Sequence, residues 1–164
     1  MRILVLYSHP VETSYNAALH AQVVASLVDA GHEVDDCDLY AEGFDPVLSR
    51  EERLGYHDVP SNRRRLQSHV DRLQRAEALV LCFPTWCFGL PAMLKGYFDR
   101  VFMPGVAFDL SDPAHVRPSL THLRRLTGNK ARVDYHAYYH MNVATRPQLD
   151  RFRERVGMAM TRLA

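Results

Sequence analysis

The stretch Ile3-Leu4-Val5-Leu6-Tyr7, running straight into Ser8-His9-Pro10-Val11-Glu12-Thr13-Ser14-Tyr15-Asn16, decides the fold. Its first five residues are apolar without alternation. A strand wetted on one face would alternate, so a continuous run suits a central parallel strand covered on both faces. Beyond the loop Ser8–Ser14, Leu19, Val23, Val24, Leu27 and Val28 recur at helical spacing. Gly31 stands where a left-handed C-terminal cap belongs. Residues 33–39 alternate imperfectly through Val34 and Cys37 and read as an edge strand. Strand, helix and strand within about 40 residues form the unit of a parallel α/β sheet.

The same unit recurs downstream. Residues 41–60 read as a loop with one helical turn, punctuated by Gly43, Pro46, Gly55 and Pro60. Ser61 is placed to cap a helix to about Ala76, with Leu66, Val70 and Leu73 inward. Arg63-Arg64-Arg65 then lies on a solvated face of that helix. Residues 78–83 are a second apolar run and a second central strand. Pro91, favoured at a first helical position, opens a helix to about Phe102, and Pro104-Gly105 ends it. Near the end, Val133, Tyr135, Ala137 and Tyr139 alternate as in a strand. A helix from Pro147 to Leu163 gathers Leu149, Phe152, Val156, Met160 and Leu163 on one face. The expected architecture is one α/β domain over residues 1–164, a doubly wound parallel sheet with helices on both faces.

Composition narrows the function. A chain of 164 residues with 47% apolar content can bury a core without a disulfide or a metal. The 20 basic and 19 acidic residues nearly cancel, which argues against a nucleic-acid binder and a polybasic membrane anchor. Cys37, Cys82 and Cys87 are odd in number and lack a C-x-x-C spacing. They read as buried free thiols rather than a disulfide framework or a zinc site. The first apolar run is too short for a signal-peptide core, and no stretch approaches the ~20 apolar residues of a spanning helix. A soluble cytoplasmic protein is expected.

Two loops carry the chemistry. In the first, His9, Thr13, Ser14, Tyr15 and Asn16 lead into a helix whose free amides and neighbouring hydroxyls suit a phosphate. The same residues also serve as an ordinary helix cap and a surface histidine. No G-x-x-x-x-G-K-[ST] or G-x-G-x-x-G motif is present, which excludes the usual nucleotidase and dinucleotide fingerprints. The second loop, Phe83-Pro84-Thr85-Trp86-Cys87-Phe88-Gly89-Leu90-Pro91, holds its amides between two prolines beside the only tryptophan. A flat, partly polar ring could stack there, or the aromatics simply pack under the sheet edge. Cys87 has no basic partner in its loop and is not read as a nucleophile. Strand ends of a doubly wound sheet are where ligands bind, and a flavin nucleotide would satisfy both loops at once.

At these residues the chain resembles the flavodoxin-like NAD(P)H:quinone oxidoreductases, the family of DT-diaphorase and its bacterial relatives. His9-Pro10-Val11-Glu12-Thr13-Ser14-Tyr15-Asn16 resembles that family's first flavin-phosphate loop. Phe83-Pro84, followed by Phe88-Gly89-Leu90-Pro91-Ala92-Met93-Leu94-Lys95-Gly96-Tyr97-Phe98-Asp99-Arg100-Val101-Phe102, resembles its most recognisable segment. The resemblance implies that His9, Thr13, Ser14, Tyr15 and Asn16 hold the phosphates and ribityl chain of FAD or FMN. It implies that Pro84, Thr85, Trp86, Cys87 and Phe88 line the isoalloxazine. It also implies hydride transfer from NAD(P)H through the flavin to a quinone-like acceptor, in a homodimer. The aromatic stretch Tyr135–His140 could contribute to that contact, and ordinary core packing explains it equally well.

The sequence departs from that pattern in two places. At Cys87 many members carry a large aromatic. Between Leu110 and Ala131 the family has a fourth strand and a glycine-containing loop with a catalytic tyrosine and histidine, and no buried strand is legible here. Leu120, Leu123 and Leu126 read instead as part of one short helix. Either about 30 residues, the size of one strand-and-crossover unit, are deleted, or a segment is omitted from the sequence. No catalytic residue is assigned. The competing reading is a flavodoxin-like regulatory or interaction module with reduced or lost activity. An acidic electron carrier fits the neutral charge poorly, and a phosphoacceptor receiver would need acidic residues where Ser8-His9 stands.

Overall fold

Alternate residues of one strand set the two faces of the molecule. The computed structural model describes residues 1–59, 61–112, 114–123 and 145–162. In β1 (Arg2–Tyr7), Ile3 and Val5 face one way and Leu4 and Leu6 the other, all fully buried. β1 pairs in parallel with β2 (Glu33–Asp38) on one side and β3 (Ala78–Cys82) on the other, in the order β2-β1-β3. Among the described residues β3 has no second neighbour. The ladder runs on past β1, since Ser8 N–H donates to the Cys82 carbonyl at 3.0 Å.

On one face, Ile3, Val5 and Ala78 meet Val23 and Leu27 of α1 (Tyr15–Asp29) and Phe152, Val156 and Met160 of α5 (Arg146–Thr161). On the other, Leu4, Leu6 and Leu79 meet Val70 and Leu73 of α3 (Gln67–Arg75) and Leu94, Tyr97 and Val101 of α4 (Ala92–Val101). Each such leucine or valine contributes roughly 1.5–3 kcal/mol by leaving water. Helices therefore cover both faces of a parallel sheet, as the unbroken apolar run requires. Among the described residues no helix is long and apolar enough to cross a membrane.

Helix ends follow the local chemistry. Ser14 caps α1 by accepting from Ala17 N–H at 3.0 Å. Gly31 (φ 79°) ends α1: its N–H donates to Val28 O and that of His32 to Leu27 O, the paired bonds of a Schellman cap. The short α2 (Arg50–Leu54) starts with a capping box between Ser49 and Glu52.

Several expectations shift. Val28 is exposed, and Ser26 takes the inward position. The helix expected from Ser61 begins as a 3-10 helix (Ser61–Leu66) and becomes α-helical only at Gln67. Ser61 does not cap it, because its hydroxyl donates back to Asp58. Pro91 is the N-cap of α4 rather than its first residue. Leu120 and Leu123 are buried in the α3–α4 core, joined by a turn instead of a helix. A two-residue pairing of β4 (Phe108–Asp109) with β5 (Arg117–Pro118) precedes them. The strand expected over 131–139, Leu126, Leu163, the Tyr135–His140 surface and residues 124–131 of the stretch in which a unit is expected to be missing lie outside the described residues.

Candidate active site

Both chemistry-bearing loops leave the carboxyl ends of adjacent strands, β1 and β3, so pairing of those strands brings the loops together. The His9 and Trp86 rings meet with centroids 5.6 Å apart and planes tilted by 59°. His9 Nδ1 accepts from Val11 N–H at 3.0 Å. A neutral His9 therefore carries its proton on Nε2, as a donor.

Polar groups gather where β1 becomes α1. Ser8 is fully buried and Asn16 nearly so, and among the described residues Ser8 Oγ and Asn16 Oδ1 have no hydrogen-bond partner. Buried polar atoms are nearly always paired, so two orphans beside a helix N-terminus fit a polar ligand. Thr13 is exposed in the turn before α1. The Ser14 hydroxyl accepts from Ala17 N–H and keeps its own hydrogen. The Tyr15 hydroxyl donates to Leu149 O at 2.6 Å and ties the start of α1 to α5. Ser8 is the residue that sequence reading passed over, although it directly follows the buried strand.

The second loop is built on a tight turn. Trp86 N–H and Gly89 N–H each donate to the other's carbonyl, at 3.2 and 2.9 Å. Between them Cys87 (φ 47°) and Phe88 (φ 63°) both lie in the left-handed region. That conformation costs an L-residue with a side chain about 1–2 kcal/mol. Pro84 is half-buried and Thr85 exposed, while Trp86 keeps 42% of its surface exposed. Phe88 is wholly exposed, so in this chain alone it stands out from the loop. Cys87 is exposed too, against the expectation of three buried thiols, and only Cys37 and Cys82 are buried.

A second cluster lies beside the first loop. Tyr7 and His20 stack face to face at 4.0 Å, and His20 Nε2 lies 2.8 Å from Asp36 Oδ1. Burial pushes the Tyr7 phenol above its ordinary value. These contacts join β1, α1 and β2 and hold the first loop's base.

The flavodoxin-like fold family matches residues 1–137. The guinea pig (Cavia porcellus) NAD(P)H dehydrogenase [quinone] 1 is 35% identical over 123 residues, 65% of this chain and 45% of that protein. The chain thus spans about half the length of the curated relatives it matches. The crystal structure of Smu.1420 from Streptococcus mutans UA159 superposes with a TM-score of 0.63 at 37% identity, covering 73% of this chain and 62% of that one. An NAD(P)H:quinone oxidoreductase from Methanothermobacter marburgensis gives a TM-score of 0.60 at 32% identity, covering 66% and 56%. With its strand order, its paired loops and these likenesses taken together, the chain belongs to the flavodoxin-like family that includes the NAD(P)H:quinone oxidoreductases.

Proposed function

We propose that this chain binds a flavin nucleotide, FAD or FMN, across its two loops and serves an NAD(P)H-dependent reduction of a quinone-like small molecule. The meeting of His9 with Trp86 carries the reading, because it puts a phosphate-suited turn and an aromatic wall within one ligand's length. Ser8 Oγ and Asn16 Oδ1, buried without partners among the described residues, support it.

When bound, the flavin supplies the hydride relay from nicotinamide to acceptor. The chain's own residues bind and orient. His9 donates from Nε2 to the phosphate end. The amides opening α1, with the hydroxyls of Thr13 and Ser14, add donors to the same anion, and the helix dipole favours its charge. Trp86 offers one aromatic face to the ring. Pro84, Pro91 and the Trp86–Gly89 backbone pair fix the loop backbone, whose other amides would donate to the ring's polar edge. Tyr15 keeps α1 in place through Leu149. The exposed Trp86, Phe88 and Leu90 suit a subunit contact, so a homodimer in the cytoplasm completes the proposal.

Fluorescence titration of the purified chain with FAD and with FMN tests this. Saturable one-to-one binding is expected, with visible absorbance that bleaches under NADH or NADPH and returns on adding a quinone. Absence of saturable binding for both flavins would overturn the reading. Binding without bleaching would favour the interaction module.

A further inference from the structure

Away from the flavin loops, a mixed donor set lies under the turn that follows β2. Cys37 is fully buried on the α3–α4 side of β2, and its thiol lies 3.7 Å from Glu42 Oε2. His69 reaches the same place from α3. One ligand atom from each of Cys37, Glu42 and His69 lies within 4.8 Å of the others. Two further observations point to a guest. Among the described residues, His69 Nδ1 is buried without a hydrogen-bond partner. So is the hydroxyl of Tyr97, a fully buried residue whose ring lies 5.5 Å from that of His69. Orphaned buried polar atoms cost roughly 1–3 kcal/mol each, and a shared ligand removes that cost.

We propose that Cys37, Glu42 and His69 bind a zinc ion, beside the buried Tyr97. Sulfur, imidazole nitrogen and carboxylate oxygen form the donor set of a borderline-soft tetrahedral cation. Zinc bonds of about 2.0–2.3 Å put ligand atoms roughly 3.3–3.8 Å apart, so small side-chain rotations close the present spacing. Arg72 helps: its Nη1 donates to both oxygens of Glu42 at 2.8 Å, and its Nε and Nη2 donate to Asp35. It orients the carboxylate and leaves lone pairs free for the metal. The charges also balance, since the Cys37 thiolate, Glu42 and Asp35 match Arg72 and a dication. The exposed Glu42 gives the ion a way in. Zinc there would fasten the turn carrying Glu42 to α3, and with it Phe44, whose ring meets both His69 and Tyr97.

Reduced, chelator-treated protein titrated with cobalt(II) and then zinc tests the site without any flavin. One cobalt per chain is expected, with a near-ultraviolet thiolate-to-cobalt band that zinc abolishes, and zinc should raise Tm. Cys37→Ser should lose the band and Cys87→Ser keep it. Glu42→Gln and His69→Gln should each weaken binding by at least roughly tenfold. No band in the unmodified chain, a band that survives Cys37→Ser, or one lost in Cys87→Ser would overturn the proposal. If Cys37→Ser does not fold, the other two variants decide, and unchanged affinity in both overturns it.

Discussion

His9 and Trp86 touch ring to ring at 5.6 Å although they sit on different loops, and this contact depends on the pairing of β1 with β3. The contact is peripheral to the core, because Trp86 remains 42% exposed. Trp86→Leu should therefore change folding stability by less than about 1 kcal/mol. It should weaken flavin binding about tenfold, the loss of one good aromatic contact of up to about 1.5 kcal/mol. Parallel denaturant melts and flavin titrations measure both. A loss of stability with unchanged flavin affinity would mean that Trp86 is a packing residue.

The three cysteines should separate by reactivity. Burial pushes the thiols of Cys37 and Cys82 up to about 12, so at neutral pH neither offers appreciable thiolate. Cys87 is exposed on its turn. A chromogenic disulfide reagent at pH 8 should label one thiol rapidly in the native chain and three in denaturant. Cys87→Ser should abolish the fast phase. Rapid labelling of a second native thiol would contradict the burial of β2 and β3.

Sequence reading succeeded where one physical constraint dominated. Leu4 and Leu6 alternate with Ile3 and Val5 across a sheet covered twice, and only an unbroken apolar run can supply both faces. Gly31 was legible because its backbone bonds require φ above zero. Reading failed where local groups had competing partners. Ser61 was free to cap a helix but bonds to Asp58 instead. Nor does any local pattern announce that the Tyr15 hydroxyl reaches a carbonyl of α5. Cys37, Glu42 and His69 have no metal-like spacing, because strand pairing and helix docking bring them together.

Arg100 and Glu52 should govern acid stability. Arg100 Nε donates to Glu52 Oε1 at 3.1 Å, and its Nη1 donates to the Asp45 carbonyl. Both side chains are largely buried, at 9% and 11% exposure. Burial alone would raise the Glu52 carboxyl, but hydrogen bonds from Arg100 and Ser49 outweigh it and hold the group below its ordinary 4.5. The folded state thus binds this proton less readily than the unfolded state. The stabilisation is complete above about 4.5 and is lost as pH falls through the lowered folded value. Glu52→Gln should flatten urea-measured stability across that acid window. Arg100→Met should cost about 3 kcal/mol at neutral pH by stranding a carboxylate, and Arg100→Met with Glu52→Leu should recover part of it.

The turn at Cys87 and Phe88 is where stability and function should pull apart. Both residues hold left-handed backbone that Asn-Gly adopts far more readily in a two-residue turn. Phe88 gains nothing from the fold in return, being wholly exposed. Strain kept without compensating burial points to a use outside the free chain, as a wall for the flavin or a contact with a second subunit. The double variant Cys87→Asn, Phe88→Gly should be more stable by about 1–2 kcal/mol. It should also bind flavin more weakly or fail to dimerise, read by titration and by sedimentation. A stabilised variant with unchanged flavin affinity and unchanged mass would show that the strained aromatic turn serves neither role.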